Sequence, residues 1–329
     1  MATAPTTDPN FKFGGTTFAA APGQAAERPA APADDPYGPL AQLEGLWQGT
    51  GFNTIWRPNL LSSGQDRFLE LNITTETIEF TPIDGPIPNR GLLNPDIDMF
   101  GLTYMQQVAE AQDNTGLHIE PGIWAVVPPT SDPDVPQSVV RMGSIPHGTV
   151  MLAQGDALEV PSGPEIADNN IIPFQIGSPP PPNSDFDNAA KVFTELDLSK
   201  ETEFRFASPG VSQAMVENPN SVLTAALAGQ TITSMTVLRV STQSGMPVPG
   251  GGTADTAFLS AASNPPGGNA NVVEVSAIFW IETVTQDDGT DFLQLQYTQL
   301  VQLNFNGLTW PHVSVATLTQ VPPAAADRY

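Results

Sequence analysis

Between Phe292 and Phe305 the side chains follow a period of two: Leu293, Leu295, Tyr297, Val301, Leu303 and Phe305 share one parity, while Gln294, Gln296, Thr298, Gln302 and Asn304 share the other. Successive side chains point to opposite faces only in an extended chain, so this pattern specifies a strand with one buried face. The run Val272 to Val284 before it ends at Gln286-Asp287-Asp288-Gly289, and Asp-Gly turn chemistry joins the two as a long hairpin.

The same punctuation recurs along the chain. Its 34 prolines exclude long helices from most windows. Further strands are expected at Gly45 to Trp56, Phe68 to Phe80, Leu102 to Glu110, Leu117 to Val127, Ser138 to Ile145, Thr149 to Gln154, Thr231 to Ser241 and His312 to Val321. In Phe68 to Phe80 the apolar face switches from Leu69, Leu71 and Ile73 to Ile78 and Phe80, which a bulge near Thr75 to Thr77 would explain. About ten strands in sequential antiparallel order give an all-β, up-and-down barrel.

Two segments break the pattern. Pro161 to Phe206, with Pro179 to Pro182 inside it, is expected as a long surface insertion outside the core. Ser221 to Leu227 is expected as a short helix capped at Asn220 or Ser221. Residues 1–38, rich in Ala, Pro and Thr, are expected to form a disordered or loosely attached tail, leaving 39–329 as one barrel domain. With 40% hydrophobic residues in 329, that domain can bury a core without metals or disulfides.

Charge and cysteine content remove several functions. A net charge of -24 carries no electrostatic footprint for nucleic acid or an anionic membrane. The absence of Cys removes thiolate nucleophiles, Fe–S clusters and covalent C-x-x-C-H haem attachment. The start lacks a basic stretch followed by an apolar run, and no apolar stretch reaches membrane-spanning length, so a cytoplasmic protein is expected.

Only three histidines are available for chemistry, and no G-x-S-x-G elbow accompanies them. His118 and Glu120 project to one face of a strand, where with a further histidine they could ligate a non-haem metal or, alternatively, form an internal polar pair. His147, between Pro146 and Gly148, reads as a turn histidine near a barrel mouth. His312 shares a strand face with the small residues Ser314 and Ala316 and with Trp310. That face either accepts a flat ligand beneath the imidazole or holds a structurally satisfied histidine.

Several fragments, taken in order, resemble the nitrobindin family of haem-binding β-barrels. Gly45, Trp47, Gly49 and Gly51 match its opening G-x-W-x-G-x-G strand. Gly116 to Trp124 is similar to its histidine, glutamate, glycine and aromatic strand, and Ser144 to Gly148 with Gly155 to its next hairpin. Gly307 to Leu318 resembles the closing strand that carries the proximal haem ligand. The resemblance implies non-covalent haem b held by His312, with Trp310, Ser314 and Ala316 lining the cofactor. It also implies chemistry on small nitrogen or oxygen species, such as peroxynitrite isomerisation or weak peroxidase activity. The alternatives are a barrel that holds a lipid or hydrophobic metabolite without haem, and a non-haem metal enzyme using His118 and Glu120. All three take a small-molecule ligand.

Deleting residues 2–36 is expected to leave the cooperative unfolding transition in place, because that composition offers little core-forming surface. A melting curve that loses cooperativity would show that the tail is part of the fold.

Overall fold

The strands form where the alternation and punctuation place them. In the computed structural model, residues 35–59, 67–245, 248–260 and 266–322 are described; most of the expected N-terminal tail lies outside them. Ten long strands run in chain order: β1 (Gly45–Pro58), β2 (Arg67–Pro82), β3 (Ile97–Glu110), β4 (Gly116–Val127), β5 (Ser138–Ile145), β6 (Thr149–Val160), β7 (Thr231–Ser241), β8 (Asn271–Thr285), β9 (Asp291–Phe305) and β10 (Leu308–Gln320). Each pairs antiparallel with the next. β10 pairs back onto β1 from Trp47↔Gln320 to Thr54↔Val313, which closes an up-and-down barrel and leaves the main sheet without an open edge along that register.

The lumen holds the expected faces. Trp47, Phe80, Trp124, Leu238, Phe279 and Leu295 pack inside it, nearly or fully buried. At the end where β1 begins, a short 3-10 helix, Gly38–Leu43, inserts Leu40 and Leu43, and the Trp47 indole donates to the Leu43 carbonyl at 2.7 Å. This plug belongs to a stretch with no strand alternation and was not anticipated.

The expected bulge in β2 is absent. Its register with β1 runs unbroken from Gly45↔Phe80 to Pro58↔Arg67. The apolar parity switches because the strand is covered on both faces at different heights. Ile78 and Phe80 face the lumen, whereas Leu69 and Leu71 face outward under the segment between β6 and β7.

That segment also departs from expectation. Rather than lying outside the core, it packs on the outer wall of β1, β2 and β10 and contributes Ile171, Ile172, Phe186, Leu196, Val216 and Leu223 to one cluster with Phe52, Trp56 and Leu69. The Trp56 indole donates to the Ile171 carbonyl at 2.8 Å. Its helices are short: α1 (Phe186–Val192), α2 (Gln213–Glu217), which Pro219 follows, and α3 (Ser221–Ala226), but its apolar residues still find an anchored surface. α3 is the expected short helix. Asn220 precedes it without capping, because its Oδ1 instead accepts from Asn169 Nδ2 at 3.2 Å while its Nδ2 donates to the Ala167 carbonyl at 2.7 Å.

Leu196→Ala and Leu223→Ala are each expected to cost about 2–5 kcal/mol in urea unfolding, as for buried large-to-small changes. A loss of about 0.5 kcal/mol or less would mean that the segment rides on the barrel without sharing its core.

Candidate functional site

Inward-facing residues are covered at the plugged end and partly open at the other. Asn72, His118, Val301, His312 and Ser314 share the inward parity, and each retains intermediate exposure; Asn72 also lines the outer cleft beside Leu71 and Phe206. These partly buried residues lie at the end that carries His118 on β4, His147 in the β5–β6 turn and His312 on β10.

Between that mouth and the apolar plug lies a polar layer. Arg141 on β5 is 1% exposed and its guanidinium lies over the rings of Phe279, Tyr104 and Trp124 at 5.2–5.9 Å. It pairs with Glu120 at 2.7 Å and donates to Gln299 Oε1 at 2.6 Å and to the Tyr104 hydroxyl at 3.1 Å. Tyr104 in turn donates to Glu120. Across the lumen, Gln106 donates to the Tyr297 hydroxyl at 2.9 Å, and Tyr297 and Thr74 donate to Glu76 at 2.5 and 2.9 Å. Gly143 makes the close approach possible: a Cβ there would lie 2.7 Å from Glu120 Oε1 and 2.8 Å from the Tyr104 hydroxyl.

The two buried carboxyls are shifted in opposite directions. Burial pushes Glu120 up, but Arg141, with help from His118 and Tyr104, more than reverses this and holds it at about 2. Glu76 has no cation in contact, so burial leaves its carboxyl above the ordinary range despite the bonds from Tyr297 and Thr74, the His118 charge and the bond from Gln106. Burial also raises both phenols, Tyr104 and Tyr297, which stay protonated as donors.

The sequence candidates divide between two walls. His118, Glu120 and His147 come together: His118 Nε2 donates to Glu120 at 3.2 Å, and the His118 and His147 rings stack with centroids 5.9 Å apart. Desolvation and the neighbouring His118 hold His147 below the usual imidazole range. This favours the internal polar pair over the metal site, since Glu120 already serves Arg141 and Tyr104. Among the described residues no three His, Asp or Glu side chains are placed to hold one ion.

His312 stands on the opposite wall with its Nε2 donating to the Trp56 carbonyl at 2.5 Å. Burial, opposed by that carbonyl, lowers its imidazole to about 4, so the ring is neutral at physiological pH. Its expected companions do not form an open slot. Ser314 accepts from Asn53 at 2.6 Å, and Ala316 is fully buried opposite Tyr297 on β9 and Gly51 on β1. Trp310 is turned into an aromatic cluster with Phe305, Trp56 and Phe193, because its indole donates to the Phe305 carbonyl and the two rings stack at 4.6 Å. A porphyrin lying over Ser314 and Ala316 would overlap this packing, so in this arrangement the residues do not fit haem.

Sequence reasoning passed over Asn53, Asn72, Glu76, Gln106, Arg141 and Tyr297. A signal was present for two of them. Arg141 lies within Val139-Val140-Arg141-Met142, two residues from Val139, and Glu76 shares the parity of Ile78 and Phe80. A charge on an apolar strand face is either a partnered interior group or an error of register.

No family model matches the chain, and no curated protein matches it. Ten solved chains match. One is similar to it over 87% of this chain and 98% of that one, the crystal structure of Rv2717c from M. tuberculosis, at 14% identity and a TM-score of 0.40.

Arg141→Met is expected to destabilise by about 3–5 kcal/mol by stranding the Glu120 carboxylate, and adding Glu120→Gln is expected to restore much of the loss, as read by urea titration. The pH dependence follows from the same groups. Glu120, at about 2 against 4.5 for an ordinary carboxyl, contributes stability that is complete above pH 4.5 and is lost as pH falls towards 2. His312, at about 4 against 6.5, favours unfolding as pH falls from 6.5 to 4, because the unfolded chain takes up that proton first. His312→Gln is therefore expected to remove about 3 kcal/mol of acid sensitivity across that second window; an unchanged slope would contradict the assignment.

Proposed function

We propose that this protein binds a small amphipathic molecule in the barrel lumen, entered from the histidine end. The observation that carries this is the asymmetry of the lumen. Leu40 and Leu43 seal one end, while the inward-facing His118, Val301, His312 and Ser314 are only partly buried at the other.

The walls near that mouth differ in chemistry. Ser314, Asn53 and Asn72 lie in register across β10, β1 and β2. Met151 on β6, Val275 on β8 and Val301 on β9 supply apolar surface. A mostly apolar pocket with a few convergent polar groups suits an amphipathic ligand whose polar part is oriented by hydrogen bonds. Barrels of about this strand number have room for one such molecule.

Catalysis has a weaker basis. The buried carboxylate of Glu120 is neutralised by Arg141 and Tyr104, and the imidazole of His312 is neutral but tied to the Trp56 carbonyl. The reading is therefore one of binding.

The test is a titration with the neutral fluorophore N-phenylnaphthylamine, which brightens in an apolar environment. Saturable binding of one probe per chain is expected, weakened about tenfold or more by Val301→Trp, which fills the lumen, and unchanged by Phe206→Ala in the outer cleft of about 270 Å³. Loss of binding on Phe206→Ala alone would move the site to that cleft. Haemin is the second probe: a Soret band that His312→Ala abolishes would replace this reading with iron ligation by His312.

A further inference from the structure

Ser314, Asn53 and Asn72 form one row across three neighbouring strands, through the register pairs Ser314↔Asn53 and Asn53↔Asn72. All three share the inward parity, since Ala316 on β10, Gly51 on β1 and Thr74 on β2 form the next row down, beside Glu76. Their hydrogen bonding is incomplete in a specific way. Asn53 Nδ2 donates to Ser314 Oγ, but Asn53 Oδ1 is buried without a partner, and Asn53 as a whole is 9% exposed. Asn72 Nδ2 is likewise buried without a partner. The row thus presents one unpaired acceptor next to one unpaired donor. Each costs on the order of 1–3 kcal/mol if left unmet, so both atoms call for a partner.

We infer that this row recognises a neutral ligand group carrying a donor beside an acceptor, as in a primary carboxamide or lactam. The ligand N–H would donate to Asn53 Oδ1 and its carbonyl would accept from Asn72 Nδ2. The inference rests on the lumen reading above and narrows it to a chemical class. A carboxylate fits poorly, because it offers only acceptors and would meet Asn53 Oδ1 with none to give. Nor do the two nearby arginines call for an anion, since Arg57 pairs with Glu70, one row nearer the mouth than Asn72, and Arg141 with Glu120. An alkylammonium offers only donors and would leave Asn72 Nδ2 unmet. Beyond the polar group, Met151, Val275 and Val301 receive an apolar chain or ring.

The experiment compares octanamide, octanoate and 2-nonanone, a neutral ketone that accepts but cannot donate, against the full chain by isothermal titration calorimetry near neutral pH. Octanamide is expected to bind at least about tenfold more tightly than the other two, as expected when a site's buried polar groups are paired by one ligand and left unpaired by its analogues. Asn72→Leu and Asn53→Leu are each expected to erase that preference. The melting temperature separates recognition from a structural role. Asn72→Leu removes an unpaired buried donor, so the ligand-free variant is expected to melt at the same temperature as the wild type or higher. Equal affinities for the three ligands in the wild type would overturn the class assignment while leaving the lumen as a binding site. A preference that survives both Asn variants would overturn it too, as would an Asn72→Leu variant that melts lower with its preference intact. If none of the three binds and N-phenylnaphthylamine does not either, both readings fall together.

Discussion

A guanidinium cannot give up its proton under any condition in which this chain folds, and Arg141 places one in the middle of a closed barrel. Much of the interior is arranged around that fact. Glu120 supplies the counter-charge, Tyr104 and Gln299 take further N–H groups, and three aromatic rings cover the planar faces. Gly143 leaves the space in which Glu120 and Tyr104 meet. The partners come from β3, β4, β8 and β9, so with its own strand β5 one buried charge ties together half of the barrel wall. Such a cluster adds little net stability over an apolar core, but strands that slip by one residue would bury the charge without its partners. Register is thereby specified at the level where the lumen changes from packed to open.

The outside of the barrel is organised by a different constraint. A closed sheet of this kind commonly leaves its outer faces to water, yet Phe52, Trp56, Leu69 and Val315 are apolar on that side. The segment between β6 and β7 covers them, and Trp56 joins the two layers through its bond to Ile171. The same coverage extends to β9, where Gln294 and Gln296 are as buried as their apolar neighbours and Gln296 donates to the Leu223 carbonyl at the end of α3. The segment therefore acts as a second wall and holds rigid the strands that carry His312, Asn53 and Asn72.

This layering explains which parts of the structure could be read from sequence. The all-β class, the strand positions and the β8–β9 hairpin were legible because alternation such as Leu293, Leu295, Tyr297 reports a strand whatever covers its other face. The β2 switch was misread as a bulge because parity alone cannot distinguish a kink from a strand covered on different faces at different heights. Trp310 shares the inward parity of His312, but the β1–β10 pairing ends at Thr54↔Val313. Beyond that point the Trp310 ring is free to turn towards Phe305 and Phe193. Among the site residues, His118, Glu120 and His147 were found because histidine is rare in this chain. Asn53 and Asn72 were not, because an asparagine in a strand carries no signal until the register shows two of them opposite each other, each with one unpaired amide atom.

The proposed binding role depends on whether the lumen at the histidine end receives a ligand. The most direct measurement is a crystal structure of the full chain grown with octanamide. It is expected to show the amide between Asn53 Oδ1 and Asn72 Nδ2 and the alkyl chain against Val301 and Met151. The contrary result is a lumen in which Asn53 and Asn72 bond to each other or to a lone water, with the ligand absent or seated in the outer cleft beside Leu71 and Phe206.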